Sequence, residues 1–279
     1  MSARRVLLAL VVAALFSSGC GRDEPADAGP TSSDSPSQAS PSSTPSATRP
    51  PYEVIKGPLG RCGPQPVAAS EAGYKYLKLR DPAVGTLPAV RAGKGRTVVV
   101  LLHQTDGNGF CGWLDFGSTL AADPRLSVLA FDTCGYAEAR CQGDPDQVAP
   151  VRVAVRYARQ VMHARRVVVM GASMGGSVAL MAASRVPGIA TAVDLSGPMT
   201  WDGMETIRQG RALRVKVLVA VADSEGEDEV RGARRIVDNA PEGSEFVPAE
   251  SGHGYELLVD REGRRTPIAE RVVRWLEAS

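Results

Sequence analysis

Five continuous apolar runs constrain the fold of this chain more than any other feature. They lie at residues 97–102, 127–131, 166–170, 189–195 and 215–222. Strands that are apolar at every position are buried on both faces, which is typical of a parallel sheet covered by helices. Helix-like segments lie between or after these runs, at 146–164, 176–184, 229–239 and 267–278. This alternation predicts an α/β fold with a doubly wound, mostly parallel sheet and helices on both faces.

The first 20 residues have the layout of an export signal. Arg4 and Arg5 precede an apolar stretch at 6–16, which is shorter than the roughly 20 residues that span a membrane. The stretch ends in Ser17-Ser18-Gly19-Cys20. This ending resembles the lipobox of bacterial lipoproteins, although that family usually has an aliphatic residue where Ser17 stands.

The lipobox resemblance implies that residues 1–19 are removed and that Cys20 is lipidated. The mature protein would then be extracytoplasmic and anchored to the cell membrane through its lipid. Ordinary signal cleavage, which would release a secreted protein, is the alternative.

The segment that follows Cys20 has a composition that cannot build a core. Residues 21–51 are mostly Ser, Pro, Thr, Ala, Asp and Gly, with no aliphatic side chain larger than alanine. Such a segment is expected to be a disordered tether, which leaves 52–279 as one domain. Without residues 1–19 the chain has 30 basic and 31 acidic residues. This balance gives no reason to expect a nucleic-acid partner.

Four cysteines lie within the expected domain. An even number in an exported chain indicates two disulfides, with three pairings open to Cys62, Cys111, Cys134 and Cys141. The short separation between Cys134 and Cys141 favours that pair and leaves Cys62 with Cys111. No CxxC spacing supports the alternative of a zinc site, and we expect neither a metal nor a cofactor.

A serine lies at the apex of a G-x-S-x-G motif between a predicted strand and a predicted helix. The motif is Gly171-Ala172-Ser173-Met174-Gly175, and it follows the apolar run at 166–170. Glycines on both sides let the chain turn sharply from strand to helix, which exposes the serine at the end of the sheet. The start of the helix also directs N–H groups towards an oxyanion. A serine that only caps the helix is the alternative.

A serine nucleophile needs a base, and the order of residues selects one histidine. Of His103, His163 and His253, only His253 follows the serine in the sequence. Where the chain order is serine, acid, histidine, an acid between them should end a buried strand. We favour Asp223 over Asp194 for this role, and we interpret His163 as solvated or structural.

The segments 101–103, 171–175, 219–223 and 251–254 together resemble the α/β-hydrolase superfamily, including serine esterases and dienelactone-hydrolase-like proteins. The resemblance extends from about Tyr74 to the C-terminus. It implies a catalytic triad of Ser173, Asp223 and His253.

The same resemblance implies an oxyanion hole. The N–H of Met174 would be one donor, and the N–H of Gln104 or Thr105 the other, because Gln104 stands where the family has a glycine after His103. His103 itself would hold the loop through hydrogen bonds.

These residues imply a serine hydrolase that cleaves small carboxylic esters or thioesters through an acyl-enzyme. Only residues 197–214 are available for a cap, so we expect a small cap and a shallow pocket. Phe110, Trp113 and Trp201 either line that pocket or pack the loops. A peptidase or acyltransferase of the same superfamily, or a non-catalytic binding lipoprotein on the same fold, are the alternative functions.

Overall fold

The structure is a computed structural model that describes residues 52–106, 108–144, 146–201, 204–205 and 210–278. The predicted signal segment, Cys20 and the predicted tether lie outside the described residues. Within the described part of the chain, no helix is both long and apolar enough to cross a membrane. Residues 52–278 belong to one unit by their internal contacts.

The strands and helices alternate along most of the described chain. The strands are β1 (Tyr52–Val54), β2 (Pro64–Pro66), β3 (Lys75–Asp81), β4 (Gly85–Gly93), β5 (Thr97–Leu102), β6 (Leu126–Phe131), β7 (Arg140–Cys141), β8 (Arg166–Ala172), β9 (Ile189–Leu195), β10 (Thr200–Trp201), β11 (Met204–Glu205), β12 (Val217–Ala222) and β13 (Glu245–Ala249). The helices are α1 (Val67–Glu71), α2 (Leu114–Ala122), α3 (Ala149–Gln160), α4 (Met174–Arg185), α5 (Glu227–Asn239) and α6 (Pro267–Ala278).

The main sheet has nine strands within the described residues, in the order β13-β12-β9-β8-β5-β6-β4-β3, with β7 beside β4. All strands from β13 to β6 are parallel, whereas β3, β4 and β7 pair in antiparallel fashion. This arrangement confirms the predicted α/β fold with a mostly parallel sheet. Because parallel strands end on the same side, the carboxyl ends of β5, β8, β12 and β13 form one edge.

Helices cover both faces of the sheet, and β5 shows how its sequence requires this. Val98, Val100 and Leu102 belong to a core cluster that includes residues of α3, α4 and α5. Val99 and Leu101 belong to the cluster on the other face, with residues of α2 and α6. The uninterrupted apolar run is therefore explained by burial on both sides.

Several element boundaries differ from the sequence prediction for local reasons. The helix predicted at 146–164 begins later, because the Asp146 side chain accepts hydrogen bonds from the N–H groups of Val148 and Ala149, at 2.9 and 2.7 Å, just before α3. It ends at Gln160. The helix predicted from 176 begins at Met174, immediately after the serine. The helix α2 was not predicted. Its run at 114–122 contains a glycine, a serine and a threonine.

Two disulfides, Cys62–Cys111 and Cys134–Cys141, confirm the predicted pairing. Beside the first, Arg61 donates two hydrogen bonds of 2.9 Å to the buried carboxylate of Asp132. The Arg61 guanidinium also lies 4.2 Å from the centre of the Phe110 ring. The segment before β2 is thus fastened by a disulfide to the loop that follows β5 and by an ion pair to Asp132 at the end of β6.

Candidate active site

Ser173 occupies a strained turn between β8 and α4. Its backbone has φ 51° and ψ −123°, a conformation that is costly for a residue with a side chain. The Ser173 N–H donates a 2.8 Å hydrogen bond to the carbonyl of Leu195 at the end of β9. The motif therefore forms the sharp strand-to-helix turn that the sequence indicated.

Gly175 shows why this turn needs small residues. A Cβ atom at this position would lie 2.2 Å from the Leu102 carbonyl oxygen and 2.8 Å from that of His103. Any side chain would push the first turn of α4 away from the end of β5. The glycine thus brings the start of α4 against the loop that contains the predicted oxyanion donors.

His253 follows β13, and its ring is hydrogen-bonded to a carboxylate. Its Nδ1 atom lies 2.8 Å from Glu225 Oε2. Because a carboxylate can only accept, Nδ1 carries the proton and Nε2 is the basic nitrogen. The imidazole is therefore held in the tautomer that accepts a proton at Nε2.

The partner of His253 is Glu225 and not Asp223, which corrects the sequence expectation. Asp223 is exposed and begins the 3₁₀ turn Asp223–Glu225 that follows β12. This turn directs the Glu225 side chain back over the strand end, where Oε1 accepts the N–H of Ala222 at 3.2 Å. The longer glutamate side chain then reaches His253 with its other oxygen.

Asp194, the second candidate acid, is not the carboxylate that is hydrogen-bonded to His253. It is fully buried near the end of β9, where Oδ1 accepts the Gly197 N–H at 2.7 Å. Its Oδ2 atom is buried and has no hydrogen-bond partner among the described residues. Burial raises the pKa of Asp194 to about 7, and the nearby charges of Glu225 and Glu229 act in the same direction.

The Glu225–His253 pair shifts the pKa of both residues towards their charged forms. Burial opposes ionisation of Glu225, but hydrogen bonds from His253, Ser196 and the Ala222 N–H outweigh it and keep the pKa of the carboxyl below its ordinary value. The hydrogen bond to Glu225 raises the pKa of His253, against the opposing effect of partial burial. An imidazolium at this position would therefore be stabilised by the carboxylate.

His103 holds the loop after β5, as expected from the sequence. The ring is buried, with Nε2 accepting the Thr133 N–H at 3.0 Å and Nδ1 lying 2.7 Å from the Gln104 carbonyl oxygen. Because Nε2 accepts a hydrogen bond, the ring proton lies on Nδ1, and desolvation lowers the pKa of His103. The exposed His163 matches its interpretation as a solvated residue.

The two candidate oxyanion donors in the loop after β5, the N–H groups of Gln104 and Thr105, differ in their hydrogen bonding. The N–H of Gln104 donates to the Tyr255 hydroxyl at 3.2 Å, and the Gln104 Oε1 accepts the Tyr255 N–H at 3.3 Å. The Thr105 N–H has no hydrogen-bond partner among the described residues. Met174 is the first residue of α4, so its N–H has no acceptor within the helix. The N–H groups of Thr105 and Met174 are therefore free to bind an anion.

The loop that contains His253 packs directly on the serine turn. A Cβ atom on Gly254 would lie 3.4 Å from the Ala172 Cβ and 2.1 Å from Gln104 Oε1. The residue after the histidine is thus in contact with the residue before the serine. Ser173 Oγ makes no hydrogen bond to another described residue.

Two of the three aromatic residues considered for the pocket belong to the core. Phe110 and Trp113 are completely buried, so they pack the loops rather than contact a substrate from the surface. Trp201 is partly buried and lies in the β10–β11 hairpin. This hairpin belongs to the connection between β9 and β12, where the sequence left room for a small cap.

Comparisons with known proteins agree with this architecture. An esterase from Pyrococcus furiosus has a TM-score of 0.63 at 15% identity, covering 82% of this chain and 97% of its own. A protein described as a dienelactone hydrolase from Klebsiella pneumoniae has a TM-score of 0.59 at 17% identity, covering 74% of this chain and 100% of its own. A serine hydrolase without a lid from Xanthomonas campestris has a TM-score of 0.56 at 16% identity, covering 74% and 96%. At these identities the likeness establishes the fold alone.

The sequence itself carries the family assignment. No curated protein matches the chain. The pattern of the alpha/beta hydrolase family, however, matches residues 99–276, a span that includes the serine turn, Glu225 and His253. The chain therefore belongs to the alpha/beta hydrolase family.

Proposed function

We propose that this protein is a serine hydrolase that cleaves carboxylic esters or thioesters through an acyl-enzyme. The observation that carries the proposal is the orientation of His253 by Glu225, beside a serine in a strained strand-to-helix turn. Ser173 is the nucleophile, His253 the base and Glu225 the acid. Serine, histidine and glutamate are an accepted form of this triad.

The reaction begins when Ser173 Oγ attacks the ester carbonyl carbon and transfers its proton to His253 Nε2. The carbonyl oxygen becomes an oxyanion that accepts hydrogen bonds from the N–H groups of Met174 and Thr105. The carbon–oxygen bond to the leaving alkoxide then breaks, and the alkoxide takes the proton from His253. Water repeats the sequence on the acyl-enzyme and releases the acid. Glu225 stabilises the imidazolium in both halves.

Ester rather than peptide substrates fit the small connection between β9 and β12, which offers no large domain for selecting a peptide. The esterase from Pyrococcus furiosus and the lidless hydrolase from Xanthomonas campestris share this architecture. A non-catalytic binding protein on the same fold is the competing function.

Hydrolysis of p-nitrophenyl acetate tests the proposal. We expect the wild-type chain to hydrolyse the ester, and the Ser173→Ala and His253→Ala variants to lose about 10³-fold or more in kcat. The His163→Ala variant is the matched control, because His163 is exposed and has no role in the proposed triad. It should retain wild-type activity. Absence of hydrolysis by a folded wild-type protein across esters of graded acyl length would favour a binding protein.

We also propose that the chain is exported and anchored through a lipid on Cys20. The two disulfides support export, because such bonds persist in oxidising compartments. Metabolic labelling with a radioactive fatty acid should mark the wild-type protein and not a Cys20→Ala variant. Release of an unlabelled wild-type protein into the medium would instead indicate ordinary signal cleavage.

A further inference from the structure

Ser196 is a buried serine in a backbone conformation that favours glycine. Its φ angle is 61°, and only 2% of the residue is exposed. A side chain is costly at this angle, so a serine here raises the question of what its hydroxyl contributes.

The turn around Ser196 is held by hydrogen bonds that do not involve its hydroxyl. The Ser196 N–H donates to the Ala220 carbonyl at 2.8 Å, and the Gly197 N–H donates to Asp194 Oδ1 at 2.7 Å. The preceding carbonyl, that of Leu195, accepts the N–H of Ser173 at 2.8 Å. The turn at Leu195–Gly197 therefore contacts Ser173 through its backbone. It also directs the Ser196 side chain towards the turn that contains Glu225.

The Ser196 hydroxyl is hydrogen-bonded to Glu225, the acid of the proposed triad. Ser196 Oγ donates a 2.6 Å hydrogen bond to Glu225 Oε1, while Glu225 Oε2 lies 2.8 Å from His253 Nδ1. One carboxylate oxygen is thus held by the serine hydroxyl, and the other oxygen faces the histidine. Among the described residues, the Ala222 N–H also donates to this oxygen, over a longer distance of 3.2 Å.

We propose that Ser196 is a positioning residue that orients Glu225 towards His253, an inference that rests on the proposed function. Its hydroxyl fixes the rotation of the carboxylate about its last torsion angle, which is otherwise broad for glutamate. It also keeps the negative charge on the carboxylate, because a donated hydrogen bond favours the charged form. The pKa of Glu225, held below its ordinary value in part by Ser196, is consistent with this.

A purely structural role for Ser196 makes a different prediction, and two substitutions separate the two roles. Ser196→Ala removes the hydroxyl and keeps the unfavourable backbone angle. Ser196→Gly removes the hydroxyl and relieves that angle. If Ser196 only shaped the turn, glycine would preserve both stability and activity.

The experiment compares both variants with the wild type and with Ser118→Ala. Ser118 is also buried, but its hydroxyl donates to the Asp115 carbonyl at 2.6 Å, within α2. We expect Ser196→Ala and Ser196→Gly to lower kcat for p-nitrophenyl acetate about tenfold, as expected for a lost hydrogen bond to a charged group. The KM should stay near the wild-type value, and the melting temperature of Ser196→Gly should exceed that of Ser196→Ala, because glycine relieves the backbone angle. Ser118→Ala should retain wild-type kcat.

A second readout does not depend on turnover. The Nδ1–H proton of His253, recorded by NMR as a downfield resonance, reports its bond to Glu225. We expect this resonance to broaden or disappear in both Ser196 variants and to persist in Ser118→Ala. Wild-type kcat and an unchanged resonance in both Ser196 variants would overturn the inference, as would recovery of kcat in Ser196→Gly. A wild type without hydrolysis would contradict the proposed function instead, while the resonance would still test Ser196.

Discussion

His253 Nδ1 and Glu225 Oε2 lie 2.8 Å apart although 28 positions separate the two residues in the chain. They are close because β12 and β13 are parallel neighbours whose carboxyl ends share one edge of the sheet. The glutamate follows the first of these strands, and the histidine follows the second. The topology of the sheet thus brings two loop residues that are distant in sequence into one hydrogen-bonded pair.

The identity of the acid is tested by replacing each of two carboxylates that are close in sequence. Glu225→Gln removes the charge that stabilises the imidazolium, and we expect kcat to fall about 10³- to 10⁴-fold. Asp223→Asn is the matched control, because Asp223 is exposed and the carboxylate bonded to His253 is that of Glu225. Rates of p-nitrophenyl acetate hydrolysis check both variants, and a larger loss in Asp223→Asn would reverse the assignment.

The pH dependence of activity follows from the direction of the His253 shift. The hydrogen bond to Glu225 raises the pKa of His253 and partial burial opposes it, while the charges of Glu225, Glu256 and Glu229 act to raise it further. The neutral base is required, so kcat/KM should fall as the pH decreases through a midpoint above the ordinary value of about 6.5.

Glu225→Gln should move this midpoint to lower pH, because the neutral amide no longer favours the imidazolium. A pH–rate profile of both proteins measures the shift. An unchanged or higher midpoint in the variant would mean that Glu225 does not control the protonation of His253.

Asp194 should make folding stability depend on pH. Its pKa of about 7 in the folded state lies above the ordinary value of 3.8, so the folded protein retains a proton that the unfolded chain has released. This contribution to stability is complete below about pH 4 and is lost as the pH rises through about 7.

Asp194→Asn removes this ionisation. Its free energy of unfolding, relative to the wild type, should therefore increase by on the order of 3 kcal/mol between pH 4 and pH 8, at about 1.4 kcal/mol for each pKa unit. Urea unfolding at both pH values provides the measurement, and Asp228→Asn, which replaces an exposed carboxylate, is the control. Parallel behaviour of Asp194→Asn and the wild type would show that Asp194 does not titrate in this range.

The two disulfides should differ in their contribution to stability. Cys62–Cys111 closes a separation of 49 residues and Cys134–Cys141 one of 7. The entropy of the unfolded chain then predicts losses of about 4 and 2.5 kcal/mol on removal. Variants in which both cysteines of one pair are replaced by serine test this order by denaturant unfolding. A larger loss in the free energy of unfolding at Cys134–Cys141 would contradict it.

The sequence was sufficient for the features that depend on long patterns. Continuous apolar runs indicated the parallel strands, and the glycines around Ser173 indicated the turn that brings α4 against β5. Chain order alone selected His253 as the candidate base, a role that stays a prediction. Both disulfides could be paired because Cys134 and Cys141 are close in sequence.

The carboxylate partner of His253 could not be read from the sequence because it depends on a single 3₁₀ turn. Asp223 ends the strand pattern, but the turn reverses the chain and places Glu225 over the strand end. The hydroxyl of Ser196 and the Tyr255 contact with Gln104 likewise depend on local backbone geometry. Glu225 lies only two positions after Asp223, so the end of the strand pattern does not distinguish the two carboxylates.

Covalent labelling with a fluorophosphonate is the most direct test of Ser173 as an activated nucleophile. Intact-mass and peptide analysis of the wild-type protein should locate one phosphonyl adduct on Ser173, and Ser173→Ala should remain unlabelled. A folded wild-type protein that does not react, or that carries its adduct on another residue, would contradict the account.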